Sequence, residues 1–243
     1  MPSNPSPSNR IEKRRALVKT DFMDAAYTVI EKHGLGGFTL ELVAAEVGLR
    51  KQALYHYFPS KEAVLFEVAL AELTKSALAV DEAVSQVESG IDAIEALLRT
   101  YFNAFAGRIR LFQLSHTALP FFDFKRMMTA ENLVRVRPLN DLLLAGTAQR
   151  LQADSKGSLS LAEPRRLAFV ASTSVIGLLS MKAFVESADD PLVHQDPDMI
   201  DTLVSVYRKS LSMKPIEERT WKKWSPSTST TPCFRITSSP HVL

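Results

Sequence analysis

From Phe22 to Met213 the apolar residues recur at three- and four-residue intervals, never in strict alternation. Phe22, Ala25, Ala26, Val29 and Ile30 follow the i, i+3, i+4, i+7, i+8 spacing of one helical face. Gly34 is placed to end that helix, because glycine tolerates the left-handed conformation of a C-terminal cap. Leu40, Val43, Ala44 and Val47 repeat the spacing, with Thr39 as an N-cap and Gly48 as a stop. A very short helix is expected over about Lys51–Tyr57. Pro59 then breaks the chain, Ser60 can cap, and a longer helix follows from Lys61 to about Val80. Ile91–Ala106, Arg108–Ala118, Phe124–Leu151, Glu163–Ala188 and Pro197–Met213 also read as helical, and Pro138 should kink or split the third of these. The pattern predicts an all-α fold.

The two ends look different. Residues 1–15 are polar and basic, and Met1–Asn9 holds three prolines and three serines, so a disordered basic arm is expected there. Residues 214–243 are rich in Pro, Ser and Thr and read as a disordered tail. Residues 16–80 and 81–213 then form an N-terminal helical module with its linking helix and a larger helical domain. The start has no apolar run of the signal-peptide kind, and the lone Cys233 cannot make an internal disulfide. A cytoplasmic location is the expectation. The longest apolar stretch, Leu167–Val185, is long enough to span a bilayer. Four hydroxyl residues and Lys182 dilute it, so a buried helix in a soluble protein with no membrane role is the better reading.

Net charge is +2 over the 243 residues, and its distribution is uneven. Arg10–Lys61 carries nine basic and six acidic residues, and Lys214–Leu243 carries five and two. A basic N-terminal module on an acidic body suits a nucleic-acid-binding head.

Chemistry enters at Leu40–Tyr57. Two short helices joined by the tight turn Gly48–Arg50 satisfy the requirement of a helix-turn-helix, whose second helix enters the major groove. Leu54 and Phe58 can anchor that second helix, leaving Lys51, Gln52, Tyr55 and His56 on the opposite side. A cation, an amide able to pair with adenine, an aromatic ring and a phosphate donor are suitable groups for a DNA face. The segments Phe38-Thr39, Val43-Ala44, Val47-Gly48 and Ala53–Glu62 (ALYHYFPSKE) resemble the DNA-binding domain of the tetracycline-repressor (TetR) family over about Thr20–Leu70. The resemblance implies that Lys51, Gln52, Tyr55, His56 and Tyr57 occupy recognition-helix positions. It further implies that Thr39 lies beside a phosphate and that Lys61 meets the backbone from the N-terminus of the next helix. The family usually has Ser or Thr in place of Arg50 and a small residue in place of Gln52. Arg50 cannot cap as a hydroxyl would, and is offered to DNA instead.

The larger domain holds Phe102, Phe105, Phe112, Phe121, Phe122, Phe124, Met127 and Met128 close together in sequence. Ordinary core packing accounts for most of such a group. The resemblance implies instead a hollow domain holding a small, largely apolar effector, with Phe102, Phe105, Phe112, His116, Phe122 and Met127 as its walls. Asn103, Gln113 and Ser115 would supply polar contacts. Enzyme chemistry has no foothold. Gly34–Gly37 follows no strand and precedes no Lys-Ser/Thr, the histidines lack metal spacing, and Ser115-His116 is not a triad. No metal or cofactor is expected. The sequence therefore points to a homodimeric transcription regulator on double-stranded, palindromic DNA, released by a small-molecule effector. The alternative is a DNA-binding regulator controlled by a protein partner. Dimerisation is assigned to Glu163–Ala188 and Pro197–Met213, pairing as a four-helix interface that includes Val175 and Leu179.

Overall fold

A computed structural model describes residues 7–118, 129–155, 162–188 and 196–212. All regular structure among them is helical: α1 (Pro7–Gly37), α2 (Leu40–Glu46), α3 (Lys51–Tyr55), α4 (Lys61–Ser85), α5 (Gly90–Phe105) and α6 (Ile109–Phe112). α6 continues as a π-helical segment, Gln113–Ala118, and α7 (Ala130–Asp154), α8 (Ala162–Ala188) and α9 (Asp196–Ser212) follow.

α1 starts earlier than the sequence suggests. Residues 7–15, expected to be a disordered arm, are helical. The prolines that suggested disorder all lie at or before Pro7, and proline is favoured in a first helical turn. The stretch behind it, IEKRRALVK, is made largely of strong helix formers. The rest of the expected arm, Phe121–Met128 and the tail 214–243 lie outside the described residues. Gly34 and Gly48 both have positive φ, 67° and 68°. Gly48 follows α2 as the expected stop, whereas Gly34, with ψ of 178°, kinks α1, which runs on to Gly37. Pro138 lies inside α7 without splitting it.

Two apolar clusters organise the chain. The first is built on Phe22, Ile30, Phe38, Leu54, Phe58 and Leu65, all nearly or wholly inaccessible to solvent, and unites α1–α3 with the first half of α4. The second gathers Val80, Leu97, Phe102, Phe105, Phe112 and Val175 from α4, α5, α6 and α8. α6 and its π-helical extension belong to both: Leu111 and Leu114 enter the first cluster and Phe112 the second. α9 is held to α5 by ion pairs, Arg99–Asp201 at 2.6 Å and Arg208–Asp92 at 2.6 Å.

α8 is the one helix among the described residues long and apolar enough to cross a membrane. It is not wholly buried, contrary to the sequence reading. Ala168, Ala171, Val175 and Leu179 are buried against the protein's own core. Val170, Met181 and Phe184, on the other side, are 50%, 61% and 67% exposed. Val175 and Leu179 are thus interior residues of their own chain rather than the interface residues expected of them. A helix apolar on all sides gives no sequence signal for which side its own chain covers.

Candidate nucleic-acid interface and effector cavity

The head presents its polar groups where the two caps predict. Thr39 is extended and accepts a hydrogen bond from the Leu42 backbone N–H at 3.3 Å, and Ser60 accepts one from Ala63 N–H at 3.2 Å. Each cap fixes the start of a helix whose first turn faces the same surface groove. That groove, about 400 Å³, is lined by Thr39, Glu41, Lys51, Tyr55, Ser60 and Lys61 among others. The fold therefore brings together four predicted DNA-facing residues, Thr39, Lys51, Tyr55 and Lys61, that are spread over 23 positions of sequence. Arg50, Gln52 and His56 are exposed at the N-cap, within and at the C-cap of α3. Arg50 begins α3 without a side-chain cap bond.

Two details were not visible in the sequence. Lys51 forms an ion pair with Glu41 of α2, and its ammonium stands 5.7 Å from the centre of the Tyr55 ring. The Glu41 carboxylate holds the Lys51 ammonium above the usual lysine range, and Lys51 in turn lowers the Glu41 carboxyl. Tyr57 is turned towards the interior. It is half-buried, with its ring 5.4 Å from that of Phe22. Leu54 and Phe58 are the buried anchors expected of them.

The body holds a cavity of about 300 Å³. Leu73 and Ala77 of α4, Tyr101 of α5, and Ser115 and His116 of the π-helical segment form one side. Leu139, Asn140 and Leu143 of α7 and Phe169, Ser172, Thr173 and Ile176 of α8 form much of the other. Asn140, Phe169 and Thr173 are exposed and mark the rim. Of the aromatic group expected to line it, His116 does so. Phe102, Phe105 and Phe112 do not: they are fully buried core residues. Phe112 stacks on the His116 ring at 4.6 Å and Phe105 meets it edge-on at 5.3 Å, so they hold the imidazole from behind. Phe122 and Met127 lie outside the described residues. Asn103 is exposed and is not a lining residue. Tyr101 and the α7–α8 wall were missed, because periodicity marks them only as helix residues.

His116 is fixed at both nitrogens. Nδ1 lies 3.2 Å from the Phe112 carbonyl oxygen, which can only accept, so Nδ1 carries the proton. Nε2 then accepts from the Tyr101 hydroxyl at 2.7 Å. Burial lowers the His116 pKa to about 4, so the ring is neutral at physiological pH.

The cavity and the head meet through α6. Arg108 at its start makes a two-pronged ion pair with the buried Glu72 of α4, at 2.7 and 3.1 Å. Its guanidinium also lies 5.8 Å from the ring centre of Tyr27 in α1. Burial and the Glu72 carboxylate, to which Tyr27 hydrogen-bonds, push the Tyr27 phenol up. Arg110 donates to the carbonyl of Glu31, near the end of α1.

Comparison with known proteins places the head. Residues 22–68 match the family described as bacterial regulatory proteins, tetR family. The HTH-type transcriptional repressor KstR2 of Rhodococcus jostii (strain RHA1) is 28% identical over 127 residues, which is 50% of this chain and 57% of that one. The chain thus spans little more than half of that relative. The solved structure of PfmR from Thermus thermophilus shares the fold with a TM-score of 0.55 and 18% identity, covering 79% of this chain and 99% of the other. FadR of Bacillus subtilis, solved in complex with stearoyl-CoA, does so with a TM-score of 0.55 and 15% identity, covering 77% and 96%.

Proposed function

From its membership of the tetR family of bacterial regulatory proteins, we propose that this chain is a cytoplasmic, homodimeric transcriptional repressor that a small apolar effector releases from a palindromic operator. The observation that carries the DNA-binding part is the single groove shared by Thr39, Lys51, Tyr55 and Lys61, with Gln52 and His56 exposed beside it. Cations and the N-terminus of the long helix α4 favour phosphate there, while Gln52 is free of the groove wall and offers an amide to base edges. The repressor role rests on the likeness to KstR2.

Dimerisation is supported by the exposed stripe Val170, Met181 and Phe184 of α8 with Val206 of α9, an apolar surface that needs a cover. Twofold pairing would set two α3 helices about one DNA turn apart. Effector response is supported by α6. The same short segment carries Ser115 and His116 at the cavity, Leu111 and Leu114 in the head cluster, and Arg108 and Arg110 bonded to α4 and α1. An effector that fits the cavity in only one arrangement of this segment biases the head through it.

The test is a gel-shift titration of the full-length protein on a duplex selected from a random pool. Lys61→Ala should weaken binding to selected and random DNA alike and lower the salt slope by about one. Gln52→Ala should change which duplexes are preferred. Unchanged retention in both variants would overturn the assignment.

A further inference from the structure

The cavity wall is unusual in what it lacks. Among the described residues, none that line it is Asp, Glu, Lys or Arg. Its polar groups are Tyr101, Ser115, His116, Asn140, Ser172 and Thr173, and most of their protons already have acceptors. Ser115 donates to the Leu111 carbonyl at 2.8 Å, and Ser172 to that of Phe169 at 2.8 Å. Thr173 donates to the carbonyls of Phe169 and Val170, at 3.1 and 2.9 Å. Tyr101 donates to His116 Nε2, and His116 Nδ1 donates to Phe112. The buried part of the wall, among the described residues, therefore offers lone pairs and apolar surface but no donor. The Asn140 amide, at the exposed rim, is the exception.

The described buried wall, rich in acceptors and without a cation, discriminates by charge. A carboxylate or phosphate entering it would lose its water, meet oxygens and find no counter-charge among the described lining residues, so its desolvation is uncompensated. A hydroxyl carried on a hydrocarbon body meets the opposite situation: its one proton has a choice of acceptors. Size sets a further bound. At water's share of about 30 Å³ per small group, a cavity of about 300 Å³ holds roughly ten non-hydrogen atoms.

We propose that the effector is an uncharged, hydroxyl-bearing hydrocarbon of about this size, bound with its hydroxyl donating to the Tyr101, Ser115 or Ser172 oxygen. The inference rests on the reading of this cavity as the effector site. It goes beyond that reading by assigning the effector's charge and its hydrogen-bonding sense.

The experiment is calorimetric titration of the full-length protein with three probes of matched length, nonan-1-ol, nonanoate and nonane, repeated with Asn140→Lys. Asn140 is exposed, so that substitution leaves the fold undisturbed while placing a cation at the rim. The wild-type protein should bind nonan-1-ol, nonane at least threefold more weakly, and nonanoate at least tenfold more weakly. Asn140→Lys should narrow or reverse the gap between nonanoate and nonan-1-ol. Nonanoate binding to the wild-type protein as tightly as nonan-1-ol, with Asn140→Lys altering its affinity, would overturn the neutral-effector proposal and leave the cavity as the effector site. No binding of any probe, with operator release by none, would overturn both.

Discussion

Replacing Arg108 by methionine would leave the Glu72 carboxylate, 5% exposed, without its cation. Breaking a buried pair by removing one partner typically costs about 3–5 kcal/mol. Two features reduce that figure here. The Arg108 side chain is 36% exposed, so part of its attraction to Glu72 is already screened, and Tyr27 remains as a hydrogen-bond donor to the carboxylate. About 2–3 kcal/mol is the expected loss, which for a domain of this size is roughly 5–10 °C in Tm. The loss should come from an orphaned charge rather than from missing contacts. Arg108→Met combined with Glu72→Met should therefore recover at least half of it, since replacing both members of a buried pair by apolar residues is often near neutral. Thermal unfolding at a fixed protomer concentration measures both values, because a dimer's Tm depends on concentration. If the double variant is as unstable as the single one, Arg108 stabilises by packing on Tyr27, and the ion-pair argument is wrong.

Glu41→Gln removes the carboxylate that holds Lys51 within the head. The freed ammonium should tighten DNA binding several-fold at low salt and steepen the salt dependence, read by gel shift at two salt concentrations. Val175→Asp buries a charge in the protein's own core and should unfold the chain, whereas Phe184→Glu with Met181→Glu, on the exposed stripe, should give folded monomers in sedimentation. His116, depressed to about 4 in the folded protein against about 6.5 unfolded, favours the folded state fully above pH 6.5. As pH falls from 6.5 towards 4 the unfolded chain binds the proton first, and up to about 3 kcal/mol of stability is lost. His116→Gln should flatten urea-denaturation midpoints across that window; an unchanged pH slope would contradict the burial of a neutral imidazole.

The head could be read from the sequence because each of its signals is local. A cap and its N–H lie three residues apart, Leu54 and Phe58 sit one turn apart, and the stop at Gly48 needs only a glycine. The body resisted for the opposite reason. Leu73, Tyr101, Asn140 and Thr173 reach one cavity from four helices, and nothing in the spacing along any one helix says that they meet. The aromatic run misled because phenylalanines that support a wall and those that form it look alike in sequence. Phe105 and Phe112 turned out to hold His116 in place. The Glu72–Arg108 pair joins residues 36 positions apart, and the sides of α8 are set by which helices of the same chain cover it.

In the proposed regulator, two copies of the Thr39–Lys61 face read one symmetric DNA site. Hydroxyl-radical footprinting of the full-length protein on a duplex selected from a random pool tests it most directly. Two protected patches are expected on one face of the helix, centred about 10–10.5 base pairs or a multiple apart and related by a dyad, with two protomers per duplex. The patches should fade together as nonan-1-ol is added. A single asymmetric patch bound by one protomer, or protection with no preference among sequences, would rule out paired reading of a symmetric site.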